Sequence, residues 1–362
     1  MSRAARLLLK PWALALLVLL GLGASEAAVR VVDARRGYSP RARAAWYWLF
    51  EQDPLLGYRG RAGAEASIRS AALPLNSDSV RHTAEGFRDR RSFAELFALK
   101  GRRLVVCVGD ADTYGLTAGA NDRTYPALLE RELRARSGDA RWVVFNAGVP
   151  GYTTSEVLQL LKLQLLKLKP EAVVAMSLRR DHENVTIFLD EALDYDRYPL
   201  RLAALSSSRV SDFFMRSALV GRAAERWRDR WWDDLGGRYP MRAYGEMTAR
   251  GRQLFLDNVD LTARLCRRHG ARLLWVDQPM HYSTCNYGQT QIDSVERLRA
   301  DLRAQAAESG LSVLEAHQGF DWTGVEARGD MLLGSNEQVL GPEGYQRLAE
   351  RLAPQILALL GP

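Results

Sequence analysis

The sequence predicts an α/β protein built on a doubly wound parallel sheet of about five strands, with an insertion after the third strand. Three observations predict it. Short, wholly apolar runs recur along the chain, as expected of strands buried on both faces. Stretches of helical periodicity, opened and closed by capping residues, alternate with those runs. One tract, residues 182–245, breaks the alternation, which then resumes.

The first strand is Leu104 to Val108, and a helix follows from about Thr124 with Pro126 in its first turn. Trp142 to Phe145 is the second strand. Thr153 and Glu156 have capping-box spacing and open a leucine-rich helix that runs to Lys169, where Pro170 stops it. Ala172 to Met176 is the third strand. Beyond the insertion, a helix covers about Glu246 to His269 and ends at Gly270, and Leu273 to Val276 is the fourth strand. A helix over Ile292 to Ser309 ends at Gly310, Leu311 to Leu314 is the fifth strand, and a last helix starts near Pro342. Residues 29–100 read as an irregular lead-in packing on the core, punctuated by Pro54, Gly57, Gly60, Gly63 and Pro74. The α/β domain proper is residues 101–362.

The chain has 362 residues, of which 47% are hydrophobic, enough for one large domain with appendages. Its formal charge is +7, yet only Lys10, Lys100, Lys162, Lys167 and Lys169 are lysines and no basic stripe is interleaved with aromatics. A nucleic-acid partner is therefore not expected. Arg3, Arg6 and Lys10 precede an apolar run from Trp12 to Ala24, with small residues around Ser25 to Ala28. Residues 1–28 thus read as a signal peptide or an N-terminal membrane anchor, and either leaves the body outside the cytoplasm, as a periplasmic or otherwise extracytoplasmic protein. Cys107 and Cys266 fall within buried patterns and Cys285 in a polar loop, so at most one disulfide can form. Trp227 and Trp231, four apart in the insertion, pack beneath it or form an exposed platform.

In a sheet of this type ligands sit beyond the carboxyl ends of the strands. The residues there are Gly109-Asp110-Ala111-Asp112, Asn146 to Tyr152, and Leu178-Arg179-Arg180-Asp181. Asn336 to Val339 precede the last helix, which carries Glu343-Gly344-Tyr345. Together with Tyr125-Pro126, these segments resemble the SGNH/GDSL hydrolases over roughly residues 100–360. The lead-in segments Asp53 to Tyr58 and Gly86-Phe87-Arg88 are similar to those of membrane-anchored members.

The resemblance implies a flavodoxin-like sheet and an acyl-transfer site. Such a site needs a Ser nucleophile, an oxyanion hole of backbone N–H groups and an Asn, and an Asp-x-x-His pair. The corresponding positions here hold Ala111 for the Ser, Gly148 for the Gly, Arg180 for the Asn, Asn336 for the Asp and Val339 for the His. Ala has no nucleophilic atom and Val no proton to transfer. The expectation is a catalytically degenerate envelope protein that binds a ligand or partner through Asp110, Ala111, Gly148, Arg180, Asp181 and His182. An acylated or anionic glycan, or proteins of envelope polysaccharide acylation, are the partners the resemblance implies. The alternative is an active ester hydrolase or acyl transferase with relocated groups, among which Thr113, Ser177, Ser335, His182 and His281 are candidates. A purely structural envelope subunit is a third class. No cofactor is expected, and Asp110, Asp112, Asp181 and His182 lack the spacing of a metal site.

Overall fold

A computed structural model describes residues 11–35, 49–68, 77–187, 217–220, 223, 246–282, 287–320, 326–328 and 338–361. Its centre is a five-stranded, all-parallel sheet of β5 (Arg103–Gly109), β6 (Trp142–Gly148), β7 (Ala172–Met176), β8 (Arg272–Val276) and β9 (Ser312–Leu314), in the order β6-β5-β7-β8-β9. This is the flavodoxin-like order, in which the chain reverses direction between β6 and β7, on either side of β5. The strands are mostly apolar because helices cover both faces. One core contains Leu104, Val106 and Val108 under the lead-in, while the opposite core contains Val105 and Cys107.

The helices follow the sequence signals closely. α3 (Ala111–Tyr114) and α4 (Tyr125–Ser137) follow β5, with Pro126 in the first turn of α4. α5 (Thr154–Leu163) starts at the expected capping box, in which Glu156 accepts the Thr153 N–H at 2.8 Å. The leucine-rich stretch does not continue as one helix. It breaks at Gln164 into a 3-10 turn, Leu165–Leu168, and Lys169 takes a left-handed φ of 54° before Pro170. α7 (Ala249–Arg268) is capped by Thr248, and α8 (Gln289–Ser309) starts three residues earlier than the sequence suggests. α9 (Pro342–Leu360) packs along α4.

Three regions differ from expectation. The lead-in is not irregular: β1 (Phe50–Asp53) pairs with β2 (Gly57–Gly60), β3 (Glu65–Ile68) with β4 (Ser77–Arg81), and α2 (Phe93–Ala98) follows. Strands of four or five residues leave too little alternation to read as a pattern. Residues after β7 form α6 (Leu178–Ile187), so the chain leaves the sheet as a helix where an inserted segment was expected to begin. β10 (Glu326–Arg328) and β11 (Gln338–Leu340) form a hairpin before α9 that no apolar run announces. At the N-terminus, α1 (Pro11–Arg35) contains one stretch, Pro11–Val32, long and apolar enough to cross a membrane. Cys107 and Cys266 are buried free thiols, whereas Cys285, Asn336 and the Trp227–Trp231 pair lie outside the described residues.

Candidate functional site

Two glycines let the loops at the carboxyl ends of β5, β6 and β7 converge. Gly109 has a φ of +150°, and a Cβ there would stand 2.0 Å from the Met176 carbonyl oxygen at the end of β7. At Gly148 a Cβ would meet the Tyr114 nitrogen at 2.3 Å and the Thr113 carbonyl carbon at 2.5 Å. The end of β6 is therefore in backbone contact with α3. Ala111, at the position the resemblance assigns to the nucleophile, opens α3 and is fully buried.

A polar lattice surrounds Ala111. Asp110 caps α3 by accepting the Asp112 N–H at 3.2 Å. The Arg179 guanidinium donates to Asp110 at 3.3 Å and stands 3.8 Å from the Asp112 carboxylate. Gln278, two residues beyond β8, donates to Asp112 at 2.7 Å and accepts the Arg179 backbone N–H at 3.0 Å. Asp112 also accepts the Leu340 N–H at 2.7 Å, which fastens β11 to the loop after β5. All four side chains are buried. Burial pushes the Asp112 carboxyl up to about 6; Arg179 opposes that rise and the Asp110 charge adds to it.

The remaining candidate residues have other roles in the packing. The Gly148 N–H donates to the Asn146 side chain at 3.0 Å, so it is already engaged. Arg180 is buried, 1% exposed, on α6. Asp181 accepts the Thr154 N–H at 3.0 Å and the Thr154 hydroxyl at 2.6 Å, holding the N-terminus of α5. His182 Nε2 lies 3.1 Å from the Ser294 hydroxyl of α8, and that oxygen also accepts the Met247 N–H at 2.9 Å. Burial, aided by the Arg299 charge, lowers the His182 pKa to about 4 and keeps the ring neutral. Val339 lies on β11 opposite Ala327, one residue before the Leu340 N–H that Asp112 holds. The structure thus gathers Asp110, Ala111, Gly148 and β11, and turns Asp181 and His182 toward α5 and α8.

Several residues that shape the site were given no individual role from the sequence. Arg179 is among the residues the sequence places beyond β7, and Gln278 stands directly beyond β8, the placement that could have found it. Arg88 is fully buried beneath α3, donating to the Gly115 carbonyl and, at 3.2 Å, to Asn121. Its guanidinium carbon is 5.1 Å from the centre of the Tyr114 ring. Tyr58 donates to the Pro150 carbonyl, and Tyr152 donates back to the Tyr58 carbonyl. These contacts hold the lead-in over the loops after β5 and β6. A second cluster lies beyond β8 and β9. There Arg299 bonds Asp277 at 2.6 Å and the Gln278 carbonyl at 2.7 Å, with Tyr282, Glu296 and His317 alongside. Among the described residues no group of three or more His, Cys, Asp or Glu is arranged to hold a metal ion.

The chain is similar to solved structures of GDSL-type hydrolases. One is a lipolytic protein of the G-D-S-L family from Desulfitobacterium hafniense, with 14% identity over 70% of this chain and 99% of that one, at a TM-score of 0.40. A lipase/acylhydrolase from Enterococcus faecalis shares 17% identity over 72% and 98% of the two chains, at 0.41. An acetyl xylan esterase, AlAXEase, shares 12% over 70% and 99%, at 0.43. No family model and no curated protein matches the chain. The fold assignment itself rests on the strand order and parallel register described above. Fold alone does not carry the chemistry of those proteins to this one.

Proposed function

We propose that this chain is a non-catalytic envelope protein on a hydrolase framework, binding a ligand or partner in the metabolism of acylated polysaccharides. The observation that carries the reading is Ala111, at the position the resemblance assigns to the nucleophile, buried inside the closed lattice of Asp110, Asp112, Arg179 and Gln278. A nucleophile at that position needs a hydroxyl, a base in reach and open donors for the oxyanion. Here the side chain is a methyl group, and the Gly148 N–H is already bonded to Asn146. The polysaccharide setting comes from the motifs the chain shares with anchored members of the SGNH/GDSL group.

The test is hydrolysis of short acyl esters by the full-length protein in detergent. No turnover above a buffer blank is expected, and Ala111→Ser is expected to leave it there, because a serine without a base is a weak nucleophile. Strong activity in either protein overturns the reading. Calorimetric titration with an O-acetylated uronate polysaccharide and its de-acetylated form should show binding to at least one. Absence of binding to both would remove the glycan part of the proposal.

One observation favours a second reading, a relocated enzyme: the Ser294 hydroxyl within hydrogen-bond reach of His182. Against it, Ser294 and His182 are 2% and 0% exposed, and the Ser294 oxygen is engaged by the Met247 N–H. Ester hydrolysis abolished by both Ser294→Ala and His182→Gln would establish that reading instead.

A further inference from the structure

Among the described residues, most of the exposed large hydrophobic side chains lie on α1. Leu14, Leu19 and Leu20 are 60%, 65% and 61% exposed, so the described structure leaves these side chains uncovered. An all-round apolar helix of this length is stable in water only while something apolar surrounds it. Near its far end, one carboxylate ties it to a segment almost two hundred residues away. Glu26 accepts the Ala218 N–H at 2.8 Å and the Leu219 N–H at 2.9 Å, and receives the Ser217 hydroxyl at 2.8 Å. Arg30, one turn along α1, donates to the same carboxylate at 2.7 Å. Ser217 in turn accepts the Val220 N–H at 3.2 Å.

Those contacts have a specific meaning. Residues 218–220 are helical, and the first N–H groups of a helix have no partner within it. Ser217 supplies the ordinary cap for the third, while Glu26 takes the first two. A negative group at a helix N-terminus is favoured by the helix dipole as well. The carboxylate is also neutralised by Arg30, so it is compensated on every side where it meets protein. Its height along α1 fits a membrane boundary. Within α1 the uncharged run from Pro11 to Ser25 gives way to Glu26 and Arg30, so the clasp forms where the helix changes from wholly apolar to charged. A charged pair at the end of an apolar helix is favoured at the lipid headgroups over the hydrocarbon core. Arg3, Arg6 and Lys10 lie at the opposite end of the run.

We infer that α1 is a retained membrane anchor, and that Glu26 clasps the inserted segment at Ser217–Val220 to it, seating that segment on the outer surface of a lipid bilayer. The small residues Ser25, Ala27 and Ala28, which resemble a signal-cleavage site, lie inside the helix and around the clasp. Cutting there would detach Glu26 or its helix from the body and leave the amides of 218 and 219 without their acceptor. The clasp and the cleavage therefore exclude each other.

The experiment uses the full chain in its native membrane and then in nanodiscs of phosphatidylethanolamine and phosphatidylglycerol. The intact mass of the membrane-extracted protein is expected to include residues 11–27. A mature chain starting near Ala28 overturns the proposal without any variant being made. Hydrogen exchange read on 217–220 should accelerate at least fivefold in Glu26→Ala and less in Glu26→Gln, with β5 and β7 unchanged. Equal exchange in wild type and both variants overturns the clasp. A fluorophore on Val220→Cys, in a Cys285→Ser background, should be quenched by nitroxide on lipid headgroups and not by nitroxide deep in the acyl chains. No quenching by either overturns the seating on the bilayer. None of these readouts depends on enzymatic activity, so they stand or fall apart from the functional proposal.

Discussion

Replacing Arg179 with Met tests whether the lattice around Ala111 is a structural element. Met keeps much of the side-chain volume and removes the charge. Asp110 and Asp112, 0% and 1% exposed, would then face each other with Gln278 as their remaining side-chain donor. Removing one partner of a buried pair costs ~3–5 kcal/mol, because the other charge is left uncompensated. The loss should depend on pH. The Asp112 carboxyl is at about 6 in the folded protein against an ordinary 3.8, so the folded state holds a proton that the unfolded state releases. The stabilisation from that raised pKa is complete below the ordinary value and is lost as pH rises through about 6. Without Arg179 the carboxyl rises further, and each additional unit shifts ~1.4 kcal/mol of the penalty from the acid to the neutral range. The assay is thermal unfolding of the full-length protein in detergent at pH 5 and pH 8. The expected result at pH 8 is a fall in Tm on the order of 10 °C, with less than half of that at pH 5. A loss below ~1 kcal/mol at pH 8, or the same loss at both pH values, would refute the role given to Arg179.

Gly148→Ala should destabilise by ~3 kcal/mol or more, because the new Cβ meets the backbone of Thr113 and Tyr114, which no rotamer change can move; urea unfolding measures it, and a change within ~0.5 kcal/mol would contradict the close approach. Buried neutral histidines should make the fold acid-sensitive: His182 at about 4 and His82 at about 3 lie below their ordinary 6.5. Their stabilisation is present above 6.5 and lost as pH falls, His182 alone accounting for ~3 kcal/mol by pH 4, so His182→Gln should flatten the acid limb of the stability profile. An unchanged acid limb would argue against a buried, neutral ring.

Most of the framework was legible because the physics that makes it is local. A strand buried on both faces must be a short apolar run, and Leu104 to Val108, Ala172 to Met176 and Leu273 to Val276 all lie within observed strands. Capping is equally local, which is why the Thr153–Glu156 box and the glycines at 270 and 310 fall at helix ends. The hairpins of the lead-in were not legible, since their four- and five-residue strands are stabilised by docking on the sheet through Tyr58 and Phe87. At the site, the positions of Ala111 and Gly148 were visible from motif spacing, whereas the partner of Asp110 was not. That partner depends on α6 being a helix, and adjacent helical residues point ~100° apart. The turn places Arg179 on the Asp pair and aims Asp181 at α5 and His182 at α8. The sequence placed Arg179 and Arg180 together beyond β7 and the resemblance pointed to Arg180; the helical turn is what puts Arg179 on the Asp pair.

The site's polar groups also bear on why restoring a single serine is expected to fail. An oxyanion hole works because its donors are preorganised yet unbonded until charge develops on the substrate. Here the Gly148 N–H already serves Asn146, and Asp112 is committed to Leu340 and Gln278 while Asp110 holds its own helix and Arg179. A substrate carbonyl arriving beside residue 111 would have to displace bonds that are buried and charge-assisted, and each of those costs more to leave unmade than a neutral contact gains. The same saturation gives the region rigidity, tying β5, β6, α6, β8 and β11 to one point. The methyl side chain of Ala111 and the closed lattice around it therefore fit the non-catalytic reading proposed above, which predicts that an active variant would require opening the lattice as well as supplying a nucleophile and base.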